Sequence, residues 1–247
     1  MSSIALSLLA LGCILAGILL GGLLPGDKLS SEAKEVIRLS TGLIGTIAAL
    51  VLGLLIASAK SSYDTQSGQI RQLTANIVLL DLLLSQYGPE AADARQALRK
   101  NTNLMASQIW NPSARAAGRP FKVNAEGLEL YQRTQALQPV TEGQRNLQTR
   151  AVQLITETAQ ARLLLFTQAQ EPIPMPFLAI LIFWLTMIFA SFSLFARPGP
   201  LVIGTLALFA LSATGAIYLI LELGQPFTGL LKIPNAPMAH ALEALPR

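Results

Sequence analysis

Four stretches of the chain are apolar on every helical face: residues 1–26, 39–59, 172–196 and 198–221 contain no Asp, Glu, Lys or Arg. Each is long enough to meet the requirement of about 20 apolar residues for a membrane-spanning helix. The pattern predicts spans over about 4–24, 43–59, 177–196 and 201–223. The first window is expected to be a span rather than a secretory signal, because it has no basic n-region and its apolar run exceeds the usual ~7–15 residues.

Between the second and third spans the pattern changes. Residues 60–172 are polar, show no strand-like alternation and read as helical throughout. Helix two is predicted to run on from the membrane, since "IASAKSSYDTQSG", 56–68, passes from apolar to polar with no proline to stop it. Beyond it Tyr63, Ile70, Leu73, Ile77, Leu80, Leu84 and Tyr87 recur in heptad register, which makes one apolar stripe. Pro89 suits the first turn of the next helix, and Glu90 and Asp93 suit its positive dipole end. Asn124 is a candidate cap for a further helix. Thr141 and Gln144 have capping-box spacing for another, whose stripe is Leu147, Ala151, Leu154, Ala161 and Leu165. The segment "NPSARAAGRP" reads as an exposed loop, and "SSEAKEVIRL" before span two as an amphipathic segment on the membrane surface, with Ser30 and Ser31 as caps.

The predicted fold class is therefore all-α: four spans with a helical bundle inserted between spans two and three. The expected parts are 1–59 (spans one and two), 60–172 (a cytosolic helical domain continuing helix two), 173–224 (spans three and four) and 225–247 (a cytosolic C-terminal segment). Four spans put both termini and the large block on one side. Flanking Lys60, Arg71, Arg162, Lys232 and Arg247 against Lys28, Lys34, Arg38 and Arg197 tips the block slightly toward the cytoplasm.

Composition agrees with a membrane chain. Of its 247 residues 52% are hydrophobic and 13% charged, against roughly 25% charged in soluble domains. Flanking lysines and arginines account for much of the net charge of +4, so no nucleic acid partner is implied. The lone Cys13 lies within span one, and His240 is the only histidine. No disulfide framework, cysteine metal site, two-histidine haem or other cofactor is expected. No phosphate loop, HExxH or CxxC occurs, and the carboxylates are scattered among bases, so an enzyme is not expected.

Span two has an ordering the others lack: Gly45, Ala49, Gly53, Ala57 and Ser61 fall at every fourth residue. Small residues so spaced form a groove that either packs tightly on a neighbour or leaves room along a pore. Lys60, with Asp64 one turn later, is either a snorkelling anchor or, if copies of the helix surround an axis, part of a basic ring that favours anions. Leu50 and Leu54 are candidates for an apolar constriction. Glu222 near the end of span four is either a functional intramembrane acid or an interfacial residue ahead of Pro226. "GILLG", Gly17–Gly21, is a GxxxG match in span one. The span-three aromatics Phe177, Phe183, Trp184, Phe189, Phe192 and Phe195 are expected to pack on lipid and neighbouring helices.

The stretches "GLIGTIAALVLGLLIASAKSSYDTQSGQ", "NIVLLDLLLSQYGPEAADAR", "MPFLAILIFWLT" and "LILELGQPF", followed by "NAPM", resemble bestrophin-like integral membrane proteins of bacteria. The resemblance implies a ring-shaped pentameric channel, mostly for anions, with four spans per subunit, a cytosolic helical region between the second and third, and helix two lining the pore. It does not extend to an aromatic neck, because Leu43 to Ala59 holds no aromatic residue. The expected partners are the lipid bilayer, further copies of the chain and a permeant ion. The competing expectation is a non-conducting scaffold or sensor whose cytosolic helices bind another protein.

Overall fold

In the computed structural model, residues 3–23, 29–110, 125–168, 175–195, 199–227 and 229–245 are described. Among them the regular structure is helical: α1 (Ser3–Leu23), α2 (Ser31–Tyr87), α3 (Ala92–Trp110), α4 (Ala125–Gln135), α5 (Glu142–Gln168), α6 (Met175–Phe195), α7 (Pro200–Leu223) and α8 (Ala236–Ala244). Helices α1, α2, α6 and α7 are each long and apolar enough to cross a membrane. The chain divides into two compact units, Met1–Tyr63 with Pro172–Gln225, and Asp64–Glu171 with Pro226–Arg247.

In the first unit, Ala10 of α1, Ala48, Leu55 and Ala59 of α2, Leu178 and Leu181 of α6 and Ile217 of α7 share one core. A second cluster joins Ile14, Phe189, Leu206 and Ala210. Helices α1 and α6 meet through small residues. A Cβ on Gly17 would stand 2.8 Å from the Thr186 carbonyl oxygen, and one on Gly21 would overlap that of Ala190. Nearby, the Ser193 hydroxyl donates to the Ile18 carbonyl at 2.7 Å. Close backbone approach and an interhelical hydrogen bond are what hold helices together where the surroundings are as apolar as the side chains. Phe177, Phe183, Phe192 and Cys13 are exposed, Phe189 is buried and Trp184 is half-buried.

Helix α2 starts earlier than the sequence pattern suggests. "SEAKEVIRL" forms its first turns rather than a separate surface segment, and Ser30 caps it by accepting from the Ala33 N–H at 3.2 Å. The physical reason is continuity: nothing between Ser31 and Leu43 breaks the backbone ladder, and Gly42 lies within the helix. The helix stops at Gly88, whose φ of 127° favours glycine. A short 3₁₀ turn, Pro89–Ala91, leads into α3.

The second unit buries the heptad stripe of α2. Ile70, Leu73, Ile77, Leu80, Leu84 and Tyr87 are all buried by the chain's own helices, together with Ala151, Leu154 and Leu165 of α5. Asp81 on α2 accepts a pair of hydrogen bonds from Arg95 on α3, at 2.8 and 2.9 Å. Helix α5 begins with a reciprocal capping box: the Gln144 N–H donates to Thr141 Oγ1 at 3.1 Å, and the Thr141 N–H to Gln144 Oε1 at 3.3 Å. The segment after Pro226 belongs to this unit and is not a separate tail. Trp110 Nε1 donates to the Ile233 carbonyl, its ring meets Phe227 edge-on, and Arg99 donates to the Leu245 carbonyl. Asn124, the loop "NPSARAAGRP", Lys28, Arg197 and Arg247 lie outside the described residues.

Candidate functional site

The span-two portion of α2 has two unlike faces. Ala48, Leu55 and Ala59 are buried in the first unit's core. On the other side Ala49, Gly53, Ala57 and Ser61 are exposed, and Gly45 is half-buried. Their neighbours Leu50 and Leu54 are 71% and 66% exposed. A Cβ on Gly45 or Gly53 would meet nothing within 4 Å. Among the described residues, then, no other helix fills the small-residue groove. Thr46, also exposed, bonds its hydroxyl to its own helix at the Gly42 carbonyl, 3.0 Å away, so its polar atom needs no outside partner.

At the polar end of this face stands Lys60. It is exposed, and its Nζ lies 5.6 Å from the centroid of the Tyr63 ring, a cation–π distance. Ser61 and Asp64 are exposed on the following turn, and Tyr63 is half-buried. The stripe that begins at Tyr63 thus continues into residues that the fold covers completely. Only its lower members are core.

Glu222, in the last turn of α7, is 3% exposed. The Tyr218 hydroxyl, one turn earlier, hydrogen-bonds to it. The helix ends just beyond, at Leu223, where the Gly224 N–H donates to the Ile220 carbonyl and that of Gln225 to the Glu222 carbonyl. The acid is accordingly buried at the end of α7.

In the second unit the charged groups sort by depth. On the surface between α3 and α4, Lys100 and Arg133 hydrogen-bond to Glu129 and hold its carboxyl below the usual range. Burial pushes the Tyr87 hydroxyl up, and Glu90 adds to the effect. Hydrogen bonds to Asp81 raise the Arg95 guanidinium. Arg162 is the exception to the surface pattern. It is 7% exposed, bonded to Gln108, and its guanidinium is pushed down by burial. Sequence reasoning treated it as a membrane-flanking charge, yet it stands four residues after Thr158 and three before Leu165, on the buried face of α5. That spacing was the available signal.

Known proteins give the frame for these faces. A bacterial bestrophin homologue from Klebsiella pneumoniae, in a crystal structure of a single-substitution form, superposes with a TM-score of 0.73 at 14% identity, covering 98% of this chain and 96% of that one. A second such form gives 0.68 at 15% identity, with 98% and 97% covered. A crystal structure described only as a membrane protein gives 0.67 at 14% identity, with 98% and 96% covered. These likenesses establish the fold. No curated protein matches the sequence. The family model of the Bestrophin-like domain matches residues 8–238, nearly the whole chain, and the chain belongs to the bestrophin-like family.

Proposed function

We propose that the chain is the subunit of a homo-oligomeric ion channel in the bacterial inner membrane, with helix α2 around the axis. The observation that carries this reading is the open face of α2: a groove of Gly45, Ala49, Gly53 and Ala57 that no other helix fills among the described residues. Packing between helices in lipid rewards such small residues with close contact. Leaving them open within a span leaves room for water or an ion instead. In this reading α1, α2, α6 and α7 are the four spans, the second unit and both termini are cytoplasmic, and five copies close the ring, as the family resemblance implies. Leu50 and Leu54 form the apolar constriction. Lys60, with Ser61 and Asp64 beside it, sets the cytosolic mouth and biases it toward anions such as chloride.

Conductance of the purified protein in planar bilayers tests the reading. Under a chloride gradient the reversal potential is expected to lie on the anion side, and Lys60→Glu is expected to move it toward cations. A silent, monomeric preparation overturns the channel; an unchanged potential removes Lys60 from selectivity.

A further inference from the structure

The uncovered side of α2 in the second unit has an order of its own. Asp64, Gly68, Arg71, Ala75, Val78 and Leu82 follow one another in alternating steps of four and three residues, and all six are exposed. Such steps lay a seam along one side of a helix, the register in which helices gather around a common axis. The stripe from Ile70 to Leu84 is buried on the opposite side. Counted back along the same helix, the steps fall on Ser61, Ala57, Leu54 and Leu50, which are exposed as well.

The charges along this stretch do not cancel. From Ala57 to Leu82 the helix carries Lys60, Asp64, Arg71 and Asp81. Asp81 lies off the seam and accepts two hydrogen bonds from Arg95, at 2.8 and 2.9 Å. Lys60 and Asp64, one turn apart, sum to zero, which leaves Arg71. Its Nη2 donates to Ser67 Oγ at 3.4 Å, and among the described residues no carboxylate lies within ion-pairing distance of it. A neutral partner one turn back keeps the guanidinium close to the helix and leaves its charge whole.

We propose that Arg71 is a specificity-determining residue of the conduction path: repeated around the axis, it makes a second basic ring on the cytosolic stretch of α2 and supplies the net positive charge that Lys60 and Asp64 together do not. The assignment rests on the channel reading of α2 and adds to it the group that selects anions. Rings of fixed charge select the ion of opposite sign.

Recording from the purified full-length protein in planar bilayers under a potassium chloride gradient tests the proposal. Arg71→Gln, at an exposed position, is expected to keep the melting temperature in detergent and to lower the chloride-to-potassium permeability ratio about twofold or more, the effect of one unit charge roughly 10 Å from an ion in water. Arg71→Lys is expected to keep the ratio and Asp64→Asn to raise it. Diluting the salt is expected to widen these shifts, because an exposed charge acts through space and is screened. In a Cys13→Ala background, Arg71→Cys carries the only thiol; a methanethiosulfonate bearing trimethylammonium is expected to restore the chloride preference, and one bearing sulfonate to lower it further. A conducting wild type whose ratio ignores Arg71→Gln and both reagents overturns the role of Arg71 and leaves the channel reading standing. Equal ratios for Arg71→Lys and Arg71→Gln overturn charge as the cause, and a wild type without current overturns the channel and this ring with it.

Discussion

Gly17 and Gly21 on α1, and Gly45 and Gly53 on α2, follow the same four-residue arithmetic, yet they meet opposite surroundings. On α1 the glycines press against the backbone of α6, with no space for a Cβ at Gly21. On α2 the same kind of ridge faces open space, and only the reverse side of the helix is buried. Small-residue spacing therefore says that a face is shallow, not what lies against it. The difference comes from the bulky residues around each ridge: Ile14 of α1 is core beside Phe189, whereas Leu50 and Leu54 of α2 stand outward with the glycines.

The largest expected effect comes from filling both grooves. Gly21→Leu must push α6 away from α1, and is expected to cost more than about 3 kcal/mol, enough to lose the folded first unit. Gly53→Leu is expected to change stability by less than about 0.5 kcal/mol while reducing or blocking current. Thermal unfolding in detergent, paired with bilayer recording, separates the two. If Gly53→Leu unfolds the protein as readily as Gly21→Leu, the α2 face is packed in the assembled protein and the pore reading fails.

Adjacent positions on α2 give a finer comparison. Leu55 is 8% exposed and Leu54 66%. Leu55→Asn places an unpartnered amide in the core and is expected to destabilise by about 2–3 kcal/mol. Leu54→Asn is expected to leave stability unchanged and to raise single-channel conductance by wetting the constriction. Equal losses of stability at both positions would show that both faces of the helix are covered.

The four apolar helices, the continuous course of helix two past Lys60 and the capping box at Thr141 were legible in the sequence, because length, period and cap spacing are local properties. The heptad stripe was legible as a stripe, but not its covering: Ile70 to Leu84 look alike whether they meet a partner chain or α3 and α5. The start of α2 was missed because Glu32, Lys34 and Glu35 lower the hydropathy without interrupting the helix. Arg162 was missed for a related reason. A polar residue on an apolar stripe reads as surface until the opposing helices are placed, and their placement depends on contacts distant in sequence. Glu222 was legible as an acid at the end of a span, whereas its burial depends on contacts distant in sequence.

The smallest expected effect concerns two hydroxyls. Ser193 on α6 bonds across to the Ile18 carbonyl of α1, while exposed Thr46 on α2 bonds only to its own helix. Ser193→Ala is expected to cost about 0.6 kcal/mol, the average for interhelical hydrogen bonds in a membrane protein. Thr46→Ala loses no interhelical bond, gains slightly in helix propensity, and is expected to leave the melting temperature in place while altering current if it borders the pore. The α1–α6 contact can be pressed further, because a Cβ on Gly22 would stand 3.3 Å from Ser193 Oγ. Gly22→Ala is therefore expected to cost less in the Ser193→Ala background than alone, and a double-mutant cycle on thermal unfolding reads that coupling directly. Coupling at Gly22–Ser193 with none between Gly53→Ala and Thr46→Ala would assign close packing to α1 and leave α2 free to face the axis.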